Sequence, residues 1–329
     1  MKKLLAILLL AALLLTGCGQ AAAPEPTEAP SLPAESTAAP AAGPVLTFTD
    51  DLGREISLDA VPERTACLLG SYADLWTLAG GSCIAAPNDA WEDYQLEMPA
   101  DAVDLGGAMR PSLEKLLAAD PDFILASSNS KTHMEWKDTL EAAGIPVAFF
   151  KVTGYEDYLR LLKTCTDLLG TPERYEQYGA AVAAEINAAV QKAEEAVAAG
   201  AEVPSILHMR MAASGLRVKN SRGNVLGEMA AALGCENIAD SDESLLENLS
   251  MEHILVQDPD FILLVQQGDD TEGAQAVLDA FIAENPAWQE LSAVKNDRVL
   301  ILDKRLFSLK PNALWGEAFT QLQQLLFAE

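Results

Sequence analysis

Between His208 and Arg222 the chain sets Arg210, Arg217, Lys219 and Arg222 in a stretch with no acidic residue. This stands out in a sequence whose 49 Asp and Glu outweigh 22 Lys and Arg, for a formal net charge of -27. Arg305 and Lys310 add cations nearer the C-terminus. A guanidinium offers a planar fork of donors suited to a carboxylate, a phosphate or a catecholate, so the chemistry of this segment is capture of an anionic group. The alternative is solvated charge on a surface hairpin. Arg110 and Arg210 are the preferred contacts; Tyr72, Trp91 and Tyr155 would supply flat apolar walls if they are not core packing.

Bond-making chemistry finds little support. There is no GxSxG, no P-loop, no GxGxxG after a strand and no HExxH, so a cell-surface α/β hydrolase stands only as the alternative from another class. The three histidines, His133, His208 and His253, are too far apart in sequence to read as a metal site of several imidazoles. His133 and His208 are the candidates for contact with a haem iron; the other reading makes them surface or supporting groups. Cys67, Cys83, Cys165 and Cys235 lack CxxC spacing, and Cys67 and Cys83 lie in apolar runs as small buried side chains. The expectation is a protein that is no enzyme and has no metal or cofactor of its own. Its acidity disfavours nucleic acid.

The elements that must hold these residues are announced by a repeat. Ser112-Leu113-Glu114-Lys115-Leu116-Leu117 leads into Asp120-Pro121-Asp122-Phe123-Ile124-Leu125, and Ser250-Met251-Glu252-His253-Ile254-Leu255 leads into Asp258-Pro259-Asp260-Phe261-Ile262-Leu263. Each copy reads as a serine N-cap, a short helix, a tight turn and a buried strand. Strands are expected at Thr65 to Gly70, Ser82 to Ala86, Phe123 to Ala126 and Pro146 to Phe150, then at Ser205 to Met209, Phe261 to Val265 and Arg298 to Leu302. The fold class is therefore α/β: two Rossmann-like lobes with mainly parallel sheets, over residues 45–170 and 201–329. Residues 171–200 read as a linking helix of roughly 40 Å, or as two helices kinked at Gly179.

In such sheets ligands sit beyond the carboxyl ends of the strands. Two lobes facing each other make that a cleft, with Ser71, Tyr72, Trp91, Arg110, Asn129 and His133 entering from the first lobe and Arg210, Arg222, Gln266 and Arg305 from the second. The loops around Asp89, Lys151 to Tyr155 and Lys310 open on the same side.

The N-terminus carries Lys2 and Lys3, an apolar run from Leu4 to Leu15, then Thr16-Gly17-Cys18. It has the layout of an export signal and is too short to span a bilayer. It resembles a bacterial lipoprotein signal, which implies removal of residues 1–17 and lipidation, with palmitate among the acyl chains, at Cys18. Residues 18–44, rich in Ala, Pro and Glu, read as a disordered tether whose ends lie roughly 30 Å apart as a coil and about 80 Å apart when extended.

From Arg64 onward the chain resembles the iron-siderophore, haem and cobalamin group of ABC substrate-binding proteins. The likeness rests on Gly70-Ser71-Tyr72, the two Ser-Leu-Glu and Ser-Met-Glu repeats with Pro-Asp-Phe-Ile-Leu, Gly144-Ile145-Pro146-Val147, Leu233-Gly234-Cys235-Glu236-Asn237-Ile238, and Pro286-Ala287-Trp288 through Val299. The resemblance implies a monomeric receptor, lipid-anchored on the outer face of the cell membrane. It would deliver a ferric siderophore, or alternatively haem or cobalamin, to an ABC importer permease whose ATPase subunits hydrolyse ATP. It also implies that Glu114 and Glu252 dock on permease arginines.

Overall fold

Both copies of the repeat build one device. Ser112 and Ser250 hold extended backbone at φ -91° in each case, and their hydroxyls accept from the N–H of Lys115 at 3.2 Å and of His253 at 3.5 Å. Each bond satisfies a donor that the first helical turn leaves free. The helices Leu113–Ala118 and Met251–Gln257 are followed by Asp120 at φ 50° and Asp258 at φ 40°, a left-handed conformation that Asp tolerates better than most residues. The second aspartate of each turn then ties down the opening of its own lobe. Asp122 accepts from the N–H groups of Glu63 and Arg64 at 2.8 and 3.0 Å, and Asp260 accepts from the N–H and hydroxyl of Ser205 at 2.8 and 2.6 Å.

The computed structural model describes residues 46–241, 244–247 and 249–327. The export segment, Cys18 and the tether lie outside the described residues. A hairpin of β1 (Leu46–Thr49) and β2 (Glu55–Leu58) precedes the first sheet. That sheet contains β3 (Thr65–Cys67), β4 (Cys83–Ala86), β5 (Val103–Asp104), β6 (Phe123–Ser127) and β7 (Val147–Phe150). All are parallel, in the order β5-β4-β3-β6-β7. The second sheet has β8 (Ser205–Ala212), β10 (Glu236–Asn237), β11 (Phe261–Gln266) and β12 (Val299–Leu302) parallel in the order β10-β8-β11-β12, with β9 (Gly215–Lys219) antiparallel on β8. β6 and β7 are buried along their whole length, as strands covered on both faces must be.

Strand order reverses between β3 and β6 in one sheet and between β8 and β11 in the other. At such a reversal the flanking connections leave on opposite faces, and a crevice opens beyond the carboxyl ends. The strand expected over Thr65 to Gly70 stops at Cys67 because the helix Gly70–Leu78 already starts there.

Pro172–Tyr175, Glu176–Ala180 and Ala181–Ala198 follow one another with no residue outside a helix. The middle turn is π-helical, and it contains the glycine at which a kink was the alternative. A Cβ on Gly179 would lie 2.7 Å from the Tyr175 ring, and the Tyr158 hydroxyl donates to the Tyr178 carbonyl at 2.6 Å. A widened turn of this kind needs such an outside partner for its displaced carbonyls. The helix Trp315–Phe327 packs along Ala181–Ala198, and Tyr158, Ile186, Trp315 and Phe319 join one buried cluster that runs through both lobes. Tyr155 meets Phe319 edge-on at 5.4 Å. This core is therefore continuous from one lobe to the other.

Candidate ligand-binding cleft

A cavity of about 220 Å³ lies where the two reversal points face each other. Its first-lobe wall is Leu69, Ser71, Asp89, Tyr94, Asn129, Val152 and Thr153, and its second-lobe wall is Arg210, Gly223, Asn224, Val225, Ser308, Leu309 and Lys310. Leu69 and Ser71 follow β3, Asn129 follows β6, and Arg210 sits near the end of β8. Two larger hollows of about 500 Å³ open at the amino ends of the strands, around Pro204 and Asp260 and around Pro62 and Asp122. The carboxyl-end rule selects the interlobe cavity over them.

Local chemistry fixes each wall. Asn224 caps the helix Val225–Ala232, its Oδ1 accepting from Gly227 N–H at 2.9 Å while its Nδ2 donates to the carbonyls of Asn220 and Arg222. On the other side both Asp89 carboxylate oxygens accept from the N–H of Gly70 at 3.1 Å. Burial, helped by the Asp93 charge, pushes the Asp89 carboxyl up to about 6, against the pull of the Gly70 amide and Lys310. The contact requires glycine, because a Cβ on Gly70 would stand 2.7 Å from Ala90 N and 2.8 Å from Asp89 Cγ. Gly70→Ala is expected to displace Asp89 and to cost about 1 kcal/mol of stability or somewhat more, read as a lower urea midpoint.

The cations are the strongest electrostatic feature. β8–β9 pairing sets His208 opposite Lys219 and Arg210 opposite Arg217. Among the described residues, Arg210, Arg217, Lys219, Arg222 and Lys310 have no ion-pair partner. Burial holds Arg210 below its ordinary pKa; burial does the same to Lys310, against the pull of the Asp89 charge and helped by Arg210, and burial followed by Arg210 and Arg217 lowers Lys219. Neighbouring cations are treated otherwise. Lys304 pairs with Asp93 at 2.7 Å and Asp269 at 2.6 Å, and Arg305 pairs with Asp74 at 3.2 Å and lies over the Tyr94 ring at 4.4 Å.

These paired groups close the lobes on each other. Asn312 Nδ2 donates to the Ser71 carbonyl at 2.8 Å and to Asp74 at 2.9 Å, and the Tyr94 hydroxyl donates to the Lys310 carbonyl at 3.2 Å. Lys304→Met would remove two partly exposed ion pairs, each worth at most about 1 kcal/mol. A melting point lower by about 2 °C is the expected reading.

Of the residues expected in the cleft, Ser71, Asn129 and Arg210 line the cavity. The others do not, for identifiable reasons. Tyr72 is buried in the first-lobe core and its hydroxyl donates to the Phe150 carbonyl at 2.9 Å. Trp91 is half-buried against the same core. Arg110 is exposed on the loop after β5 and Arg222 is exposed beside the Asn224 cap, both outside the cavity lining. His133 is buried with Nδ1 accepting from Ser127 N–H at 3.1 Å, and burial takes its pKa down to about 4. Gln266 turns its amide to Gly268 and Thr271 within its own loop. Arg305 is committed to Asp74 and joins lobe to lobe instead of facing a ligand. Leu69, Tyr94 and Val225 were not foreseen at all. Tyr94 lies in a run without periodicity, where nothing marks its reach to Lys310.

Residues 66–306 match the profile of the Periplasmic binding protein family, and the chain belongs to that family. A curated relative, the high-affinity heme uptake system protein IsdE of Staphylococcus aureus, is 24% identical over 230 residues, covering 70% of this chain and 76% of that protein. Among solved structures, Staphylococcus aureus SirA complexed with staphyloferrin B has a TM-score of 0.63 at 20% identity, covering 86% of this chain and 97% of the other. The periplasmic heme-binding protein RhuT of Roseiflexus sp. RS-1, in apo form, has a TM-score of 0.62 at 21% identity, covering 80% and 98%. These likenesses establish the two-lobed fold. Among the described residues no helix is long and apolar enough to cross a membrane.

Proposed function

We propose that the protein is an extracytoplasmic solute-binding protein that captures a small ligand, a ferric siderophore foremost, and delivers it to an ABC importer. The observation carrying this reading is Arg210, which has no ion-pair partner among the described residues, beside Lys310 on the wall of an interlobe cavity in a strongly acidic chain. Haem, the alternative suggested by the relatives IsdE and RhuT, fits less well. The cavity lining holds no histidine to reach an iron, whereas a siderophore brings its own iron ligands. Cobalamin would favour a neutral aromatic wall, and Tyr94 is the single aromatic lining residue.

At about 220 Å³ the closed cavity is smaller than the several hundred Å³ typical of ligand sites. Entry of a ferric chelate therefore requires the lobes to part at the Lys304 and Arg305 contacts, and binding favours whichever arrangement it bridges. Glu114 and Glu252, exposed in the first turns of matching helices, would dock on permease arginines at two points. Cys18 would carry the lipid that keeps this monomer at the membrane, with the tether to Pro44 giving it reach. No step calls for catalysis by this chain, and partner subunits would hydrolyse ATP.

The test is a thermal-shift and calorimetric screen of the protein lacking its export segment against ferric siderophores, haem, cobalamin and free metal ions. A ligand that binds only the native state raises the melting point by mass action. A shift with a ferric chelate is the expected result; silence toward every one of these, together with ester or phosphate hydrolysis, would sink the receptor reading.

A further inference from the structure

The two cavity walls are chemically opposite. From the second lobe come donors and positive charge: Arg210 and Lys310, with the amino end of the helix Val225–Ala232 on the same side. From the first lobe come negative charge and acceptors at Asp89 and Thr153, beside the neutral Ser71 and Asn129. Asp89 is a carboxylate fixed by Gly70, and the hydroxyl of Thr153, another lining residue, has spent its proton on Asp157 at 3.0 Å and can now only accept. The Tyr94 hydroxyl is similarly committed as a donor, to the Lys310 carbonyl. A ligand that is anionic all round would meet Asp89 with like charge, and one that is cationic all round would meet Arg210.

From this segregation we infer that the cleft is built for a dipolar group, with an anion held at Arg210 and Lys310 and an ammonium or other donor held at Asp89 and Thr153. The inference rests on the solute-binding reading and narrows its ligand class. The closed cavity has room for on the order of ten non-hydrogen atoms, judged by the roughly 30 Å³ that one water occupies in the liquid. Such a group is then the whole of a small ligand or the polar end of a larger one. Asp89 acts here as a specificity-determining residue: it selects for the donor end and rejects acceptors of the same size.

The probes are the ω-amino acids from β-alanine to 6-aminohexanoate, each compared with its N-acetyl derivative and its methyl ester, by saturation-transfer NMR and calorimetry on the intact chain without its export segment. At least one amino acid of the series is expected to bind, with both blocked forms weaker by about tenfold or more, since each has lost a charge-assisted hydrogen bond. Asp89→Asn should erase the difference between free and acetylated amine while retaining the carboxylate requirement; Arg210→Ala should do the reverse. Tyr94→Phe, which leaves the Asp89–Gly70 contact intact, should weaken the amino acid a few-fold and serves if Asp89→Asn melts early. Equal binding of acetylated and free forms overturns the proposal, as does binding of the anion alone regardless of Asp89. A ferric chelate that binds while every amino acid fails overturns it and leaves the receptor reading standing; amino acids that bind while all iron ligands fail support it and turn that reading away from iron.

Discussion

Arg210→Ala is expected to weaken capture of an anionic ligand by about a hundredfold while leaving the ligand-free protein no less stable. The two effects have one cause. Arg210 is half-buried at the end of β8, without a counter-charge among the described residues, and burial already works against its charged form. In the empty protein that desolvation is uncompensated, so alanine removes a cost. In the complex the ligand's anion supplies the missing partner, and truncating one side of such a desolvated pair typically loses a few kcal/mol, much of it in the dissociation rate. The Arg210→Lys variant keeps the charge but not the fork of donors, and should fall between the two. Calorimetry with the best ligand of the screen, alongside melting of the empty protein, reads both quantities. Unchanged affinity with lowered melting would place Arg210 in the scaffold, outside the ligand's reach.

The contrast between Arg210 and Arg305 shows what could be read from residue order and what could not. Both are arginines at the carboxyl side of second-lobe strands in an acidic chain, and sequence pattern treats them alike. What separates them is Asp74, more than two hundred positions away, which pairs with Arg305 at 3.2 Å and leaves Arg210 free. The helices, turns and buried strands of the repeat were legible because Ser112, Ser250 and the two Asp-Pro-Asp turns act within a few residues. The crevice was legible because strand order and the carboxyl-end rule need only topology. Tyr72 and His133 were misplaced because a helix following a strand turns successive side chains to different sides; the partner of Tyr72, Phe150, lies on a distant strand, and that of His133 is the backbone N–H of Ser127 at the end of the preceding strand, which residue type does not mark. Asp89 was within reach as a loop residue, yet its role depends on Gly70 having no side chain, a fact of packing that composition does not express.

Acid sensitivity should concentrate on His208. It sits in the centre of β8 with only 1% of its surface exposed and with neither ring nitrogen hydrogen-bonded among the described residues, and it faces Lys219 across the hairpin. Burial, reinforced by Arg210 and Lys219, takes its pKa down to about 3. The unfolded chain therefore binds the proton first on acidification. Stability from this site is complete above about pH 6.5, falls as pH drops below that value, and is lower by about 2 kcal/mol at pH 5. His133, lowered to about 4, works in the same direction. Asp89, raised to about 6, works in the opposite one, because the native state takes up that proton before the unfolded chain does. Asp74, also raised by burial, acts with Asp89, whereas Asp50, Asp157 and Asp258, held below the ordinary carboxylate value, add to the loss at still lower pH. His208→Leu removes the larger share of the histidine loss and also two buried nitrogens with no hydrogen bond among the described residues, so urea midpoints should be equal or higher at pH 7.5 and should decline less toward pH 5. His133→Leu is no substitute, since it gives up the bond from Ser127. If the His208→Leu protein and the parent lose stability in parallel between pH 7.5 and pH 5, the acid sensitivity arises elsewhere and His208 is already protonated or relieved by solvent in the native fold.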